Sequence, residues 1–360
     1  MSELLTTPLH AWHKNNGARM VPFAGWDMPV QYVGILEEHK RTRTKASIFD
    51  ISHMGEFLLA GDGATTALAG IVTHNLATLA PGKCRYGFLL NEKGGVLDDL
   101  IVYRLETEKY MLVVNGACID SDFAWIKAHL PADLTFANQS FGIAKIDLQG
   151  PESFDVLTRI MPADWASLGY FGFREMEFEG FRLIVSRTGY TGELGYEFYL
   201  PWSKADVLWE KLMADESVRP AGLGARDTLR LEVGLPLYGQ DLDTEHTPVE
   251  AGYGAMLKSE ADFIGKSGLD TVRERLIGLR IDGRRSARHY DEVYVGETRV
   301  GMVTSGSIAP SLGYCVALAY VLADMADQAA FTVKGPKTTL EAARVDTPFY
   351  TAGTARKKLA

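Results

Sequence analysis

Apolar and polar positions along the chain follow two rhythms, and the change from one to the other predicts the elements. Residues 33–49 carry Glu37, Glu38, Arg41 and Lys45 at helix-pairing spacings, which predicts a helix running into Ser47-Ile48-Phe49-Asp50-Ile51. The pattern then becomes that of strands. Phe57–Ala60 meets a Gly61-Asp62-Gly63 turn, and Arg85–Leu90 pairs through Asn91–Gly95 with Val96–Leu105 as a hairpin. Tyr110–Val114 is a further strand. A helix with Phe123, Ile126 and Leu130 on one face follows, stopped by Pro131. Ile143–Leu148 opens a second α+β stretch, with a helix from Pro151 bearing Phe154, Leu157 and Met161, and two strands meeting at Glu179-Gly180. Ser203-Lys204-Ala205-Asp206 has the form of a capping box, Asp replacing the usual Glu, ahead of a helix with Val207, Leu208 and Leu212. After about residue 275 only strands are predicted: Leu276–Ile281, Thr298–Ser305, Tyr314–Val321, Ala329–Val333 and Leu340–Val345. The pattern is α+β, ending in a β-rich C-terminal domain.

Composition narrows the function. The 360 residues include 37 Lys and Arg against 46 Asp and Glu, a net charge of −9, so no basic face is on hand to neutralise nucleic-acid phosphates. No apolar run approaches the roughly 18 residues of a membrane span, and the N-terminal segment lacks a basic stretch followed by an apolar one. A cytoplasmic protein is expected. Cys84, Cys118 and Cys315 are scattered and without a CxxC, as reduced thiols would be.

Several motifs fail on inspection. Gly265-Lys266-Ser267 ends like a P-loop, but Glu260 stands where the first glycine is required. Gly222-Leu223-Gly224-Ala225-Arg226-Asp227 starts like a dinucleotide fingerprint and then puts an Asp in place of its last glycine. There is neither HExxH nor GxSxG, and the His10/His13 pair alone makes no metal site.

Four segments place polar groups where a plain core would not. In Phe49-Asp50-Ile51-Ser52-His53-Met54-Gly55, Met54 is either a core residue or a ligand contact. Asp98 and Asp99 are adjacent within an apolar strand, so one of them faces away from water unless the pair ends the strand in solvent. Thr188–Glu197 holds three glycines and two tyrosines, as either a hairpin turn or a backbone that approaches a ligand. Arg226 lies in the first turn of a glycine-led helix, where the dipole disfavours a cation, so a salt bridge or an anionic ligand better accounts for it.

Taken in order, these segments resemble the glycine cleavage system T-protein, or aminomethyltransferase, family. The likeness runs through Phe23-Ala24-Gly25-Trp26-Asp27-Met28-Pro29, Phe49-Asp50-Ile51-Ser52-His53-Met54, Gly94-Gly95-Val96-Leu97-Asp98-Asp99-Leu100, Gly189-Tyr190-Thr191-Gly192-Glu193, Gly224-Ala225-Arg226-Asp227-Thr228-Leu229-Arg230-Leu231-Glu232, Leu237-Tyr238-Gly239-Gln240-Asp241 and Pro348-Phe349-Tyr350. It implies a three-domain aminomethyltransferase-like folate-binding fold with a C-terminal antiparallel β-barrel-like domain. Residues 1–50 and 138–245 would form a discontinuous folate-binding α+β domain, 51–137 an inserted α+β domain, and 246–360 the barrel-like domain.

The implied activity moves the aminomethyl carbon from the lipoyl arm of the partner H-protein to tetrahydrofolate, with neither metal nor nucleotide. By motif, Asp99 is the implied catalytic carboxylate. Glu197 would accept from the pterin's donor edge, Arg226 would help fix the folate, and Met54, Tyr86, Asn115 and Tyr190 would line its aromatic part. Arg288 matches an Arg that often precedes a short turn in the family. The sequence departs from the family pattern at His10, where Tyr is usual, at Gly254-Ala255-Met256, which lacks a Trp, and at Arg288-His289-Tyr290-Asp291-Glu292, which lacks a Gly and a Pro. Two other readings remain: a tetrahydrofolate-dependent demethylase acting on a small methyl donor, and a non-catalytic folate-binding protein, whose Lys-Gly-Cys-Tyr signature is absent.

Overall fold

A computed structural model describes residues 3–359 and builds the chain around three β units. The first is a six-stranded sheet in the order Phe173–Phe178, Phe181–Ser186, Gly195–Pro201, Ile143–Gln149, Ala46–Asp50, Val218–Pro220. All its pairings are antiparallel except the last, where Val218–Pro220 runs parallel to Ala46–Asp50. The second is a five-stranded antiparallel sheet in the order Lys83–Leu90, Val96–Glu106, Lys109–Val114, Gly55–Ala60, Thr135–Asn138. The third is a closed six-stranded antiparallel barrel of Glu274–Ile281, Tyr314–Leu322, Thr298–Ala309, Glu292–Val295, Ala330–Gly335 and Thr338–Val345.

Each unit buries a core of its own. The six-stranded sheet packs Ile146, Leu148, Phe198 and Tyr196 against helices Ser153–Ile160 and Ala205–Met213, with Trp165 and Trp209 closed in. Burial of side chains of this size is worth about 1.5–3 kcal/mol each. A separate apolar layer, including Tyr103, Met111, Val113 and Tyr199, joins the six- and five-stranded sheets face to face. The strands that carry the polar segments meet at this seam.

Helix Leu223–Glu232 reaches the seam from one side. Its start lies so close to the ribbon strand Trp26–Gln31 that a Cβ on Gly222 would stand 2.4 Å from the Val30 carbonyl, which requires glycine there. At the other end, Arg230 is buried and bound to Asp241 at 2.7 Å and to Ser305 Oγ at 2.9 Å, tying the helix to the barrel.

Two local expectations need correction. The predicted helix over 33–49 spans Ile35–Thr44, and a strand begins at Ala46, because the apolar run from Ala46 to Phe49 pairs with the buried strand Ile143–Gln149. The capping box does not form. A 3₁₀ turn, Trp202–Lys204, leads straight into helix Ala205–Met213, and Asp206 Oδ1 accepts from Val207 N instead. The glycines of 188–197 allow close packing within the protein: a Cβ on Gly189 or Gly195 would strike the Gln149 side chain, and one on Gly192 would strike Val233. The barrel also holds one strand beyond those expected, Glu292–Val295, only four residues long.

Candidate active site

Asp98 and Asp99 lie in the long strand Val96–Glu106, opposite Leu89 and Phe88. Successive strand residues face opposite sides, and Asp98 is fully buried while Asp99 is half-buried. Asp99 is gripped at both oxygens, Oδ2 by the Tyr86 hydroxyl at 3.0 Å and Oδ1 by Asn115 Nδ2 at 2.9 Å. Tyr86 stands on the neighbouring strand, in an edge contact with Phe88 and 5.9 Å from the Tyr253 ring. Burial first, and the Asp98 charge second, push the Asp99 carboxyl up to about 7.

The six-stranded sheet supplies the second group. Strand Ile143–Gln149 puts Lys145, Asp147 and Gln149 on one side, all buried. Lys145 Nζ meets Glu197 Oε1 at 3.1 Å and the Met54 sulfur at 3.4 Å, while Glu197 Oε2 accepts from Thr188 at 2.6 Å. Burial alone would raise the Glu197 carboxyl, but Lys145 and Thr188 outweigh it and hold it below the usual carboxylate range. Asp147, opposite Glu197 in register, pairs with Arg226 at 2.9 Å and is pushed up to about 7 by burial and by the Glu197 charge. The salt bridge is thus the explanation for Arg226 that the structure displays. The Arg226 guanidinium also sits 4.7 Å over the Tyr190 ring, whose hydroxyl donates to the Pro236 carbonyl.

Asp99, Tyr86 and Asn115 therefore form one contact set, Glu197 and Met54 meet through Lys145, and Arg226 and Tyr190 stack. Arg288 stands apart. It is exposed on the barrel, its backbone N–H donates to Asp291, and among the described residues its guanidinium has no ion pair with the other residues named. Of the departures from the family pattern, His10 is bound to Asp27 at 2.8 Å and Met256 is exposed. His13 is buried between Asp50 and Tyr32, which accounts for the His10/His13 spacing without a metal.

Sequence reasoning missed Lys145, Asp147 and Tyr253. For the first two a signal existed: polar residues at every second position of a strand otherwise reading as core. Two further buried groups lie close by. Glu56 has neither carboxyl oxygen hydrogen-bonded and is raised well above its usual range by burial. His53, 6% exposed, has an unpartnered Nδ1 and is lowered to about 3 by burial and by the charge of Arg226. The ligand atoms of Asp98, Cys118 and Asp122 lie within 4.8 Å of one another, the one such group among the described residues that could hold a metal ion. Both Asp98 oxygens there already accept from Asn115.

The architecture defines the class. It superposes on the crystal structure of glycine cleavage system aminomethyltransferase T from Bartonella henselae with a TM-score of 0.92 and 32% identity, covering 98% of this chain and 99% of that one. The GCVT N-terminal domain model matches residues 9–261, and the glycine cleavage T-protein C-terminal barrel domain model matches 274–351. Curated aminomethyltransferases are similar over nearly their whole length. That of Listeria monocytogenes serotype 4b (strain F2365) is 40% identical over 97% of this chain and 99% of its own, and that of Synechococcus elongatus is 43% identical over 96% of each. The chain belongs to the glycine cleavage T-protein family.

Proposed function

We propose that this chain is a tetrahydrofolate-dependent aminomethyltransferase that takes its carbon from a lipoylated H-protein and works in the cytoplasm; its curated relatives are bacterial aminomethyltransferases, and no helix among the described residues is long and apolar enough to cross a membrane. In that reaction the carbon's bonds to sulfur and to the amino nitrogen break. Two bonds to folate nitrogens form, giving 5,10-methylenetetrahydrofolate. The two hydrogens displaced from those nitrogens end one on the lipoyl sulfur and one on the departing ammonia.

The observation that carries this reading is Asp99, a carboxylate clamped by Tyr86 and Asn115 beside aromatic walls and titrating near neutrality. A carboxylate so fixed can accept a hydrogen bond from a folate N–H, stabilise positive charge developing at the transferred carbon, and hold the proton in passage. The residues present suit a pterin. Glu197 is held ionised and can accept from an amino-pyrimidine edge, Tyr86, Tyr190 and Tyr253 offer ring faces, and Arg226 offers a cation. Met54 and Asn115 complete the lining. Arg288 enters only through its motif, as a contact at the rim. The ordered set of polar, hydrogen-bonded side chains favours transfer over mere folate storage.

Asp99→Asn tests the assignment. It keeps the hydrogen-bonding shape while removing the charge, so folate affinity should stay within about twofold while ammonia release falls by roughly 10²-fold or more. Unchanged ammonia release would remove Asp99 from the chemistry.

A further inference from the structure

Asp98, Asp99 and Asp122 are three buried or half-buried carboxyls with no cation of their own. The nearby cations are engaged elsewhere: Lys145 on Glu197, Arg226 on Asp147 and Arg230 on Asp241. Their charges must therefore be limited by protons. Hydrogen bonding shows where a proton sits. Asp98 accepts twice from one residue, at Oδ2 from Asn115 N at 2.9 Å and at Oδ1 from Asn115 Nδ2 at 2.8 Å, so it is the carboxylate. Asp122, in the first turn of helix Ile119–His129, is 2% exposed, and its Oδ2 receives no hydrogen bond. One of its oxygens lies within 4.8 Å of an Asp98 oxygen with no cation bound to either, an approach that two bare buried carboxylates oppose and a proton between them allows.

We propose that Asp122 is a positioning residue for the transfer reaction: it carries a buried proton, donates it to Asp98, and the Asp98 carboxylate so fixed holds Asn115 and, through it, Asp99. The role rests on the reading of Asp99 as the reacting carboxylate. Asn115 is the link, because its Nδ2 reaches Asp98 Oδ1 at 2.8 Å and Asp99 Oδ1 at 2.9 Å. If Asp98 held the proton on Oδ1, its O–H would confront Asn115 Nδ2, and the amide would turn away from Asp99.

The ionised Asp98 also bears on Asp99 through its charge, the second cause of the Asp99 rise after burial. The other groups facing the cluster do not compete for the proton. Tyr86, Tyr190 and Tyr253 around Asp99, and Tyr238 and Cys118 around Asp98 and Asp122, are all raised by burial and stay protonated at neutral pH. Asp122 itself is raised to about 10, by burial first and by Asp98 second.

Asp122→Asn keeps a donor toward Asp98, whereas Asp122→Ala removes it and lets Asp98 take up the proton. For the Ala variant we expect kcat to fall about tenfold, short of the roughly 10²-fold that a 1 Å misplacement costs, with the folate KM within about twofold. The acid limb of its pH–rate profile should move to lower pH as the charge beside Asp99 is lost. The Asn variant should match the wild type in both respects. Infrared difference spectra of wild type against Asp122→Asn, taken without substrates at neutral pH, should show the loss of one protonated carboxyl band.

That spectrum does not depend on what Asp99 does, and it decides the matter even where the Ala variant fails to fold. Absence of the band would overturn the proposal, as would a folded Ala variant with wild-type kcat and acid limb, or an Asn variant as impaired as the Ala one. Failure of the Asp99 assignment would show itself separately, as full turnover by Asp99→Asn.

Discussion

Lys145→Met is the perturbation whose size follows most directly from the structure. Lys145 and Glu197 have side chains only 1% and 4% exposed, with Nζ and Oε1 3.1 Å apart. At an effective dielectric of about 20 their attraction is about 5 kcal/mol. Methionine fills a similar volume, so the main loss is the charge partner. Glu197 then stays buried with Asp147 opposite it in the sheet and the Glu56 carboxyl close by. Removing one member of a buried pair costs about 3–5 kcal/mol, because the survivor's desolvation is no longer compensated.

At roughly 2–4 °C per kcal/mol for a unit of this size, the apparent unfolding midpoint should drop by about 10 °C. The double variant Lys145→Met/Glu197→Gln should recover most of that drop, since no bare charge is left. Scanning calorimetry on the three proteins makes the comparison. A single variant losing less than about 1 kcal/mol, or a double variant no better than the single, would refute the reasoning. Folate binding supplies a second reading. Without Lys145 the Glu197 carboxyl should rise, so affinity should become pH-dependent, weakening as pH falls and recovering as pH increases.

Three further outcomes are expected. Arg226→Ala removes both the partner of Asp147 and the cation over Tyr190, so the folate Kd measured by fluorescence titration should weaken by about tenfold; an unaltered Kd in a folded variant would take Arg226 out of the site. Gly95→Ala puts a Cβ 1.9 Å from the Thr244 carbonyl oxygen, so the hairpin must shift from the 243–246 segment at a cost of about 1–3 kcal/mol, checked by urea unfolding. His246 loses by burial but gains more from Asp243 and Glu274, and is raised to about 9. The stability it contributes is fully present below its ordinary value of 6.5 and is lost as pH rises through about 9, so His246→Gln should flatten that part of the stability profile.

Most strands of the barrel were legible as apolar or alternating runs of six to twelve positions, as in the continuously apolar Tyr314–Leu322. Glu292–Val295 was not, since four residues between a polar loop and a Gly-Glu turn hold too few positions to show a period. The strand Ala46–Asp50 was read as helix because charged residues at helical spacing run unbroken up to Lys45. Only its pairing with Ile143–Gln149 marks the switch.

At the site, adjacent aspartates in an apolar strand announced buried carboxylates, and Arg226 in a first turn announced a partner. Which aspartate meets both Tyr86 and Asn115 depends on the register of three consecutive strands, and irregularities at Leu89/Leu90 and Arg104/Glu106 shift that register in a way no period in the sequence shows. Asp122 gave no signal, because an acid in the first turn of a helix is what the helix dipole favours anyway. Its burial against Asp98 is a product of tertiary packing.

The central claim is that this chain transfers an aminomethyl carbon to folate. The most direct measurement is ammonia release from aminomethyl-loaded H-protein, with and without tetrahydrofolate, alongside a small methyl donor in place of the H-protein. Release that requires both the loaded H-protein and tetrahydrofolate is the predicted result. Turnover with the small donor alone, or folate binding with no release from loaded H-protein, would contradict it.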